Sequence, residues 1–253
     1  MRIFKLILSL APAALLAVAC GGGSQDASTG PGGNALPGGV WTGQIVAPGE
    51  VQLVAAVTTD GGEFRVLDLA TQGQFAGTIT VNGNSATGSG LGWAGDGATW
   101  MDGSSLTTLN ITGAVTERQR ISGDWTAGSG ETGTYTLAYN SIHARASSLA
   151  KLAANWFFTD GTYALAVSIN GNGDITGSDT DGCVLNGSAS IPDAAFNTYA
   201  LTIDLSSCGA VSGRYQGLAY LADTQAEGDT LVAGLDDGLN SVVLALGRPV
   251  PVP

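Results

Sequence analysis

The chain has 253 residues, 39 of them glycine, with 12% charged and 44% hydrophobic residues and a net charge of −12. Such an acidic protein is repelled by nucleic acid and by anionic lipid, so neither is a partner through charge alone. The single histidine excludes multi-histidine metal sites and leaves a Ser-His-Asp triad unsupported.

In chain order, Arg2 and Lys5 come first, as a positive n-region. An apolar run over 4–18 follows, interrupted by Ser9 and Pro12 and ending in small residues before Cys20. The run is shorter than the about 20 apolar residues a bilayer span needs, and Pro12 breaks it, so residues 1–19 read as a secretory signal. Ala17-Val18-Ala19-Cys20 resembles the bacterial lipobox, matching well at Ala19 and Cys20, with Ala17 where Leu is usual. The resemblance implies diacylglycerol on the Cys20 thiol, cleavage after Ala19 and N-acylation, hence a protein anchored to the membrane through Cys20. As is known for lipoproteins in general, Asp directly after the lipidated Cys favours the inner membrane. Gly21 stands there, which implies the outer membrane and leaves open which face the protein occupies. Loss of Arg2 and Lys5 takes the net charge from −12 to −14.

Residues 20–37 form the lipidated cysteine and a tether rich in Gly, Ser, Asn and Pro, a composition that does not build a core. About 210 residues then remain, enough for one large or two small domains. From Trp41 onward apolar residues alternate. Val51, Leu53, Ala55 and Val57 share a face, as do Phe75, Gly77, Ile79 and Val81. Leu109, Ile111, Gly113 and Val115 follow, then Tyr135, Leu137 and Tyr139. Period-two alternation means one buried and one wet face, the pattern of antiparallel sheet. Turn signals at 60–62, 82–84 and 128–130 separate the runs. The count over 38–140 is about eight strands, which suits a closed meander barrel.

The pattern breaks over 141–154, where Ser147-Ser148-Leu149-Ala150-Lys151-Leu152-Ala153 predicts a linker with a short helix. Trp156 opens a second series: Tyr163, Leu165, Val167 and Ile169, then Tyr199, Leu201, Ile203 and Leu205, then Val242, Leu244 and Leu246. The reading is all-β, with two small antiparallel barrel-like domains of about eight strands, 38–140 and 155–248, and a tail over 249–253. One larger sheet system is the alternative. With Cys20 lipidated, Cys183 and Cys208 remain in an oxidising compartment. Runs at 184–191 and 199–206 form a hairpin, and pairing Ile191 with Ala200 sets Cys183 opposite Cys208. A disulfide closing this loop is worth about 3 kcal/mol.

Gly39-Val40-Trp41, with Arg145 beyond the first series, resembles the Gly-X-Trp opening of the calycin group, the lipocalins and avidins. Ala154-Asn155-Trp156 with Arg248 is a partial match. The resemblance implies barrel closure, with an Arg packed over the opening Trp. The layout also resembles uncharacterised two-domain bacterial lipoproteins, with Ser-Ser-Leu-Ala-Lys-Leu-Ala ahead of a Trp-led domain.

Enzyme constellations are weak. Asp124, Glu131 and Asp204 are the acids a hydrolase would use, yet exposed strand acids usually serve solubility. The Asp and Asn clusters at 170–174 and 179–182 could offer calcium ligands, but Asp and Asn with Gly also make turns. His143 is expected to be a solvated linker residue. Trp93 and Trp100 flank a loop that could contact a ligand, or could cover a barrel end. The reading is a non-enzymatic envelope lipoprotein, without cofactor, that presents loops to a protein or glycan partner. A calycin-like carrier of a small apolar ligand is the alternative, and a secreted hydrolase the second.

Overall fold

The computed structural model describes residues 33–248. The signal segment, Cys20, the start of the tether and the tail lie outside the described residues. The fold is all-β, in two closed eight-stranded antiparallel barrels. The first runs β1 (Gly39–Ala47), β2 (Glu50–Thr58), β3 (Glu63–Leu67), β4 (Gln74–Asn82), β5 (Ser85–Trp93), β6 (Leu106–Thr116), β7 (Arg120–Ala127) and β8 (Thr132–Asn140). It closes by β1 on β8, from Val40 opposite Asn140 to Val46 opposite Thr134. The second runs β9 (Ala154–Thr159), β10 (Ala164–Ile169), β11 (Asp174–Asp179), β12 (Val184–Ser190), β13 (Tyr199–Ser206), β14 (Gly213–Ala222), β15 (Thr230–Asp236) and β16 (Ser241–Gly247). It closes between Gly247 and Phe157. Short turns allow this up-and-down order. Pro48-Gly49 joins β1 to β2 with Gly49 at φ 85°, and Gly83 opens the β4–β5 turn at φ 60°.

Each barrel has a fully buried Trp near its start. The Trp41 indole N–H donates to Thr58 Oγ1 at 2.8 Å, and Tyr139 packs edge-on against the ring. The Trp156 N–H donates to Leu152 O at 3.0 Å, and the Arg248 guanidinium lies 5.6 Å over its ring. Arg145 has a different role, gripping Asp223 of the second barrel through two hydrogen bonds of 2.7 and 2.6 Å. Between the barrels lie a 3-10 turn, Ser141–Ala144, and one helical turn, α1 (Leu149–Leu152), capped by the Ser148 hydroxyl. Leu152 is buried in the second core.

The barrels are fused along their outer faces. Val40, Val57 and Leu67 of the first pack with Leu218, Tyr220, Val232 and Val243 of the second. Polar groups cross the same seam. Arg65 reaches Asp236 at 3.1 Å, and the fully buried Gln74 donates to Leu235 O at 3.2 Å. Gly234 leaves room for them, since a Cβ there would sit 2.4 Å from Leu67 Cδ2.

This seam corrects the reading of β2. The face carrying Val51, Leu53, Ala55 and Val57 points out of the barrel, and Val54 and Ala56 point in, the latter opposite Trp41. The outward face is split. Val57 is fully covered by the second barrel, whereas Leu53 is 72% exposed. Alternation separates two faces without saying which is inner.

His143 is likewise no solvated residue. It is 2% exposed, its ring stacks at 4.5 Å on Phe196 of the second barrel, and the Tyr139 hydroxyl lies 3.1 Å from Nδ1. Arg118 covers the Phe196 ring at 4.8 Å. Burial, reinforced by the Arg118 charge, lowers the imidazole pKa to about 4.

Cys183 and Cys208 form the disulfide. The hairpin register is one residue off the expected one, with Ser190 rather than Ile191 opposite Ala200. The ladder ends at Ser206, and Ser207 at φ 61° brings Cys208 back to Cys183, with Cα atoms 4.5 Å apart.

Leu67→Ala should cost about 2–5 kcal/mol. Because Leu67 packs on the second barrel, hydrogen exchange should accelerate in both barrels; acceleration confined to β1–β8 would mean that the seam does not couple them. Cys208→Ser should lower stability by about 3 kcal/mol, read from urea midpoints. For His143, the unfolded chain takes up a proton near pH 6.5 and the folded protein only near pH 4. The unfolded state therefore binds more protons in that window, and stability falls as pH drops through it, by about 2 kcal/mol between pH 7 and pH 5. His143→Phe, which keeps the stack, should remove that part of the slope.

Candidate functional site

The two interiors are built differently. In the second barrel Trp156, Tyr199 and Tyr215 are all but completely buried and fill the centre together with Leu and Ile. In the first, the register places Gly77, Gly88, Gly90, Gly92, Gly113 and Gly123 on the inner face. Glycine there leaves space that the surrounding side chains do not close. The result is an apolar hollow of about 60 Å³, lined by Ile45, Phe64, Phe75, Leu109, Trp125 and Tyr135 among others. The glycines also let aromatic rings lie against the wall. A Cβ on Gly92 would come within 2.9 Å of Trp100 and 3.2 Å of Phe75, and one on Gly113 within 2.6 Å of the Tyr135 hydroxyl. Burial pushes the Tyr135 phenol up to about 12, so it stays protonated, and it donates to Thr112 O at 3.3 Å.

A second space of about 190 Å³ opens at one end of the same barrel and shares Ile45, Phe75 and Trp125 with the hollow. Its rim is the β1–β2, β3–β4, β5–β6 and β7–β8 connections. Trp100 stands in this mouth. Its ring packs edge-on against Phe75 at 6.1 Å and Trp125 at 6.4 Å, and its N–H donates to Gly92 O at 3.1 Å. The loop that carries it is pinned. Trp100 N donates to Ser104 O at 2.9 Å, Asp96 N to Thr71 O at 2.6 Å, and Met101 N to the Glu131 carboxylate. Burial acts to raise the Glu131 carboxyl, but hydrogen bonds from Ser129 and Met101 outweigh it and hold the group below its ordinary range.

Both tryptophans that the sequence pairs line the mouth. Trp93 is 6% exposed, and its N–H also donates to Leu239 O of the second barrel at 3.1 Å. Phe75 and Trp125 were not singled out by the sequence analysis as site residues. Phe75 stood in an alternating run, which was the signal that it faces inward.

Two groups at the mouth have unused hydrogen-bonding capacity. Trp125 is 7% exposed, and its indole N–H has no acceptor among the described residues. Asp68 is 4% exposed. Its Oδ1 accepts the Ala70 and Thr71 amides at 2.9 and 3.2 Å, and no hydrogen bond reaches its Oδ2 among the described residues.

The remaining candidates are dispersed. Asp124 lies on the outer face of the first barrel and Asp204 on that of the second, where it pairs with Arg214 at 3.6 Å. Glu131 is at the mouth. No two of these three acids face each other across one cleft. In the turn at 179–182, Asp179 Oδ1 accepts the Asp181 and Cys183 amides and Oδ2 accepts the Tyr163 hydroxyl. Asn170 Oδ1 accepts the Asn172 and Asp174 amides. These side chains build the turns, and among the described residues no His, Cys, Asp and Glu cluster has the form of a metal site. Cys20 lies outside the described residues.

The segment that leads into β1 sits at the end opposite the mouth. Ala35 N donates to Gly83 O at 2.8 Å, Gly83 N to Asn34 Oδ1 at 2.9 Å, and Leu36 N to Glu117 Oε2 at 3.3 Å. Residues 83 and 117 belong to the β4–β5 and β6–β7 turns, away from the rim connections.

No family model matches this sequence, and no curated protein matches it. Among solved structures, the chain is similar to the Aeromonas veronii immune modulator A, at 14% identity and a TM-score of 0.38, covering 85% of this chain and 95% of that one.

Proposed function

We propose that this protein is a lipid-tethered, non-enzymatic binding protein of the bacterial envelope, and that the hollow first barrel is its binding site. The lipobox-like residues ending in Cys20 support the tether and the outer-membrane address. One observation carries the site: inward glycines keep the first barrel open beneath an aromatic mouth, while the second barrel is filled. Concave, mostly apolar spaces with a few convergent polar groups are where small molecules bind. This places the carrier reading ahead of loop-mediated capture of a protein or glycan, because Trp93 is engaged in the seam and the Trp100 loop is pinned. Asp124, Glu131 and Asp204, the acids a hydrolase was expected to use, do not meet in one cleft.

The polarity of the fold gives the tether a consequence. Residues 34–36 join the barrel at the end opposite the mouth, so the tether reaches the barrel away from the proposed binding site. The second barrel buttresses the first through the seam, and Cys183–Cys208 braces it at the end that bears Leu239.

The test is native against denaturing mass spectrometry on the full-length chain carrying Cys20→Ser, exported to the periplasm. A native mass heavier by one discrete small molecule, lost in Gly92→Ala, is the expected outcome. A native mass equal to the bare chain, with tryptophan emission unmoved by any hydrophobic probe, would remove the carrier reading. In the unmutated protein, the N-terminal peptide should carry acyl chains on Cys20; an unmodified thiol there would remove the anchor.

A further inference from the structure

We infer that the mouth of the first barrel selects an organic ammonium compound. This rests on the reading of that barrel as a binding site and adds the chemical class of its ligand. Three observations converge. The mouth is lined by four aromatic residues, Phe75, Trp93, Trp100 and Trp125, and the rings of Phe75, Trp100 and Trp125 lie within 6.1–6.4 Å of one another. Each ring face is electron-rich and attracts a cation, most strongly when the cation is desolvated. The same space is lined by three carboxylates, Glu50, Asp68 and Glu131, and by no Lys, Arg or His. An anionic ligand such as a fatty acid would meet uncompensated negative charge. Asp68 is nine-tenths buried with an unused oxygen, which suits a donor that arrives with positive charge.

Size narrows the class further. A cavity of about 150 Å³ takes benzene. The mouth, at about 190 Å³, therefore suits a head group of ring size or a trimethylammonium, and the smaller hollow behind Phe75 and Trp125 suits only a short apolar extension. The net charge of −12 works in the same direction by raising the local concentration of cations.

The experiment compares choline with 3,3-dimethylbutan-1-ol, which has the same shape and hydroxyl but a carbon in place of nitrogen. Both are titrated into the full-length chain carrying Cys20→Ser. Binding is followed by tryptophan fluorescence and by the indole N–H signals, with Trp125→Phe assigning its own. Choline should bind at least about tenfold more tightly and shift the Trp125 signal. Asp68→Asn keeps Oδ1 for the two turn amides and should bring the ratio near one. If that variant fails to fold, the ratio in the protein with Asp68 intact still decides. Equal or tighter binding of the neutral alcohol overturns ammonium selection and leaves the binding site standing. Binding of neither, with a native mass still heavier by a ligand, also overturns only the ammonium class. Binding of neither, with a bare native mass, overturns both.

Discussion

The outer faces of β2–β4 lie against those of β14–β16, and most of what distinguishes this molecule follows from that contact. A small closed barrel buries only its inner face, so its outer face is ordinarily polar. Here one sector of each barrel is apolar outside as well. In β15, Leu231, Val232, Ala233 and Leu235 are all buried, because alternate residues fill the second core and the seam. The opposite sectors, β6–β8 and β10–β12, show mainly Thr, Ser, Asn and Asp to solvent.

Polar groups in the seam fix its alignment. Arg65 is buried; its terminal guanidinium nitrogens reach Asp236 and the backbone of Phe64 and Gln216, while its Nε has no acceptor among the described residues. Moving one barrel across the other would strand that charge, at a cost greater than the loss of one apolar contact. His143 does the same at the other edge, where its ring stacks on Phe196 while its carbonyl accepts Asn197 N at 2.9 Å. The linker is thus a packed part of the joint. It turns between barrels, caps the second core with Leu152 and lends a histidine to the seam.

Relieved of contributing its whole surface to solubility and its whole interior to stability, the first barrel tolerates glycine on its inner wall. Glycine in a strand weakens it by removing a side chain to pack. The second barrel also turns Gly177, Gly187 and Gly217 inward, but Trp156, Tyr199 and Tyr215 are buried in its core. The division is physical: one barrel is dense and disulfide-braced, the other hollow and lined with rings.

Much of this was legible in the chain itself. Period-two runs separated by Gly and Asn turns determine the strands, their antiparallel order and the count in each half, because alternation and tight turns are local properties. On that basis Phe75, Leu109 and Val167 each share one face of an alternating run. The cysteines could be paired, although the ladder slipped by one residue and a backbone turn at Ser207 made up the difference. Tertiary structure decided the rest. Val57 and Leu53 have the same phase and opposite fates, since only one lies under the second barrel. Trp93 and Trp100, seven residues apart, both reach the mouth, but only Trp93 also bonds to the second barrel, at Leu239. His143, isolated in sequence, found its partners 4 residues before it and 53 residues after it, at Tyr139 and Phe196. A sequence reports the periodicity of a strand; which of its two faces is covered, and by what, depends on chain that is distant in sequence and near only after folding.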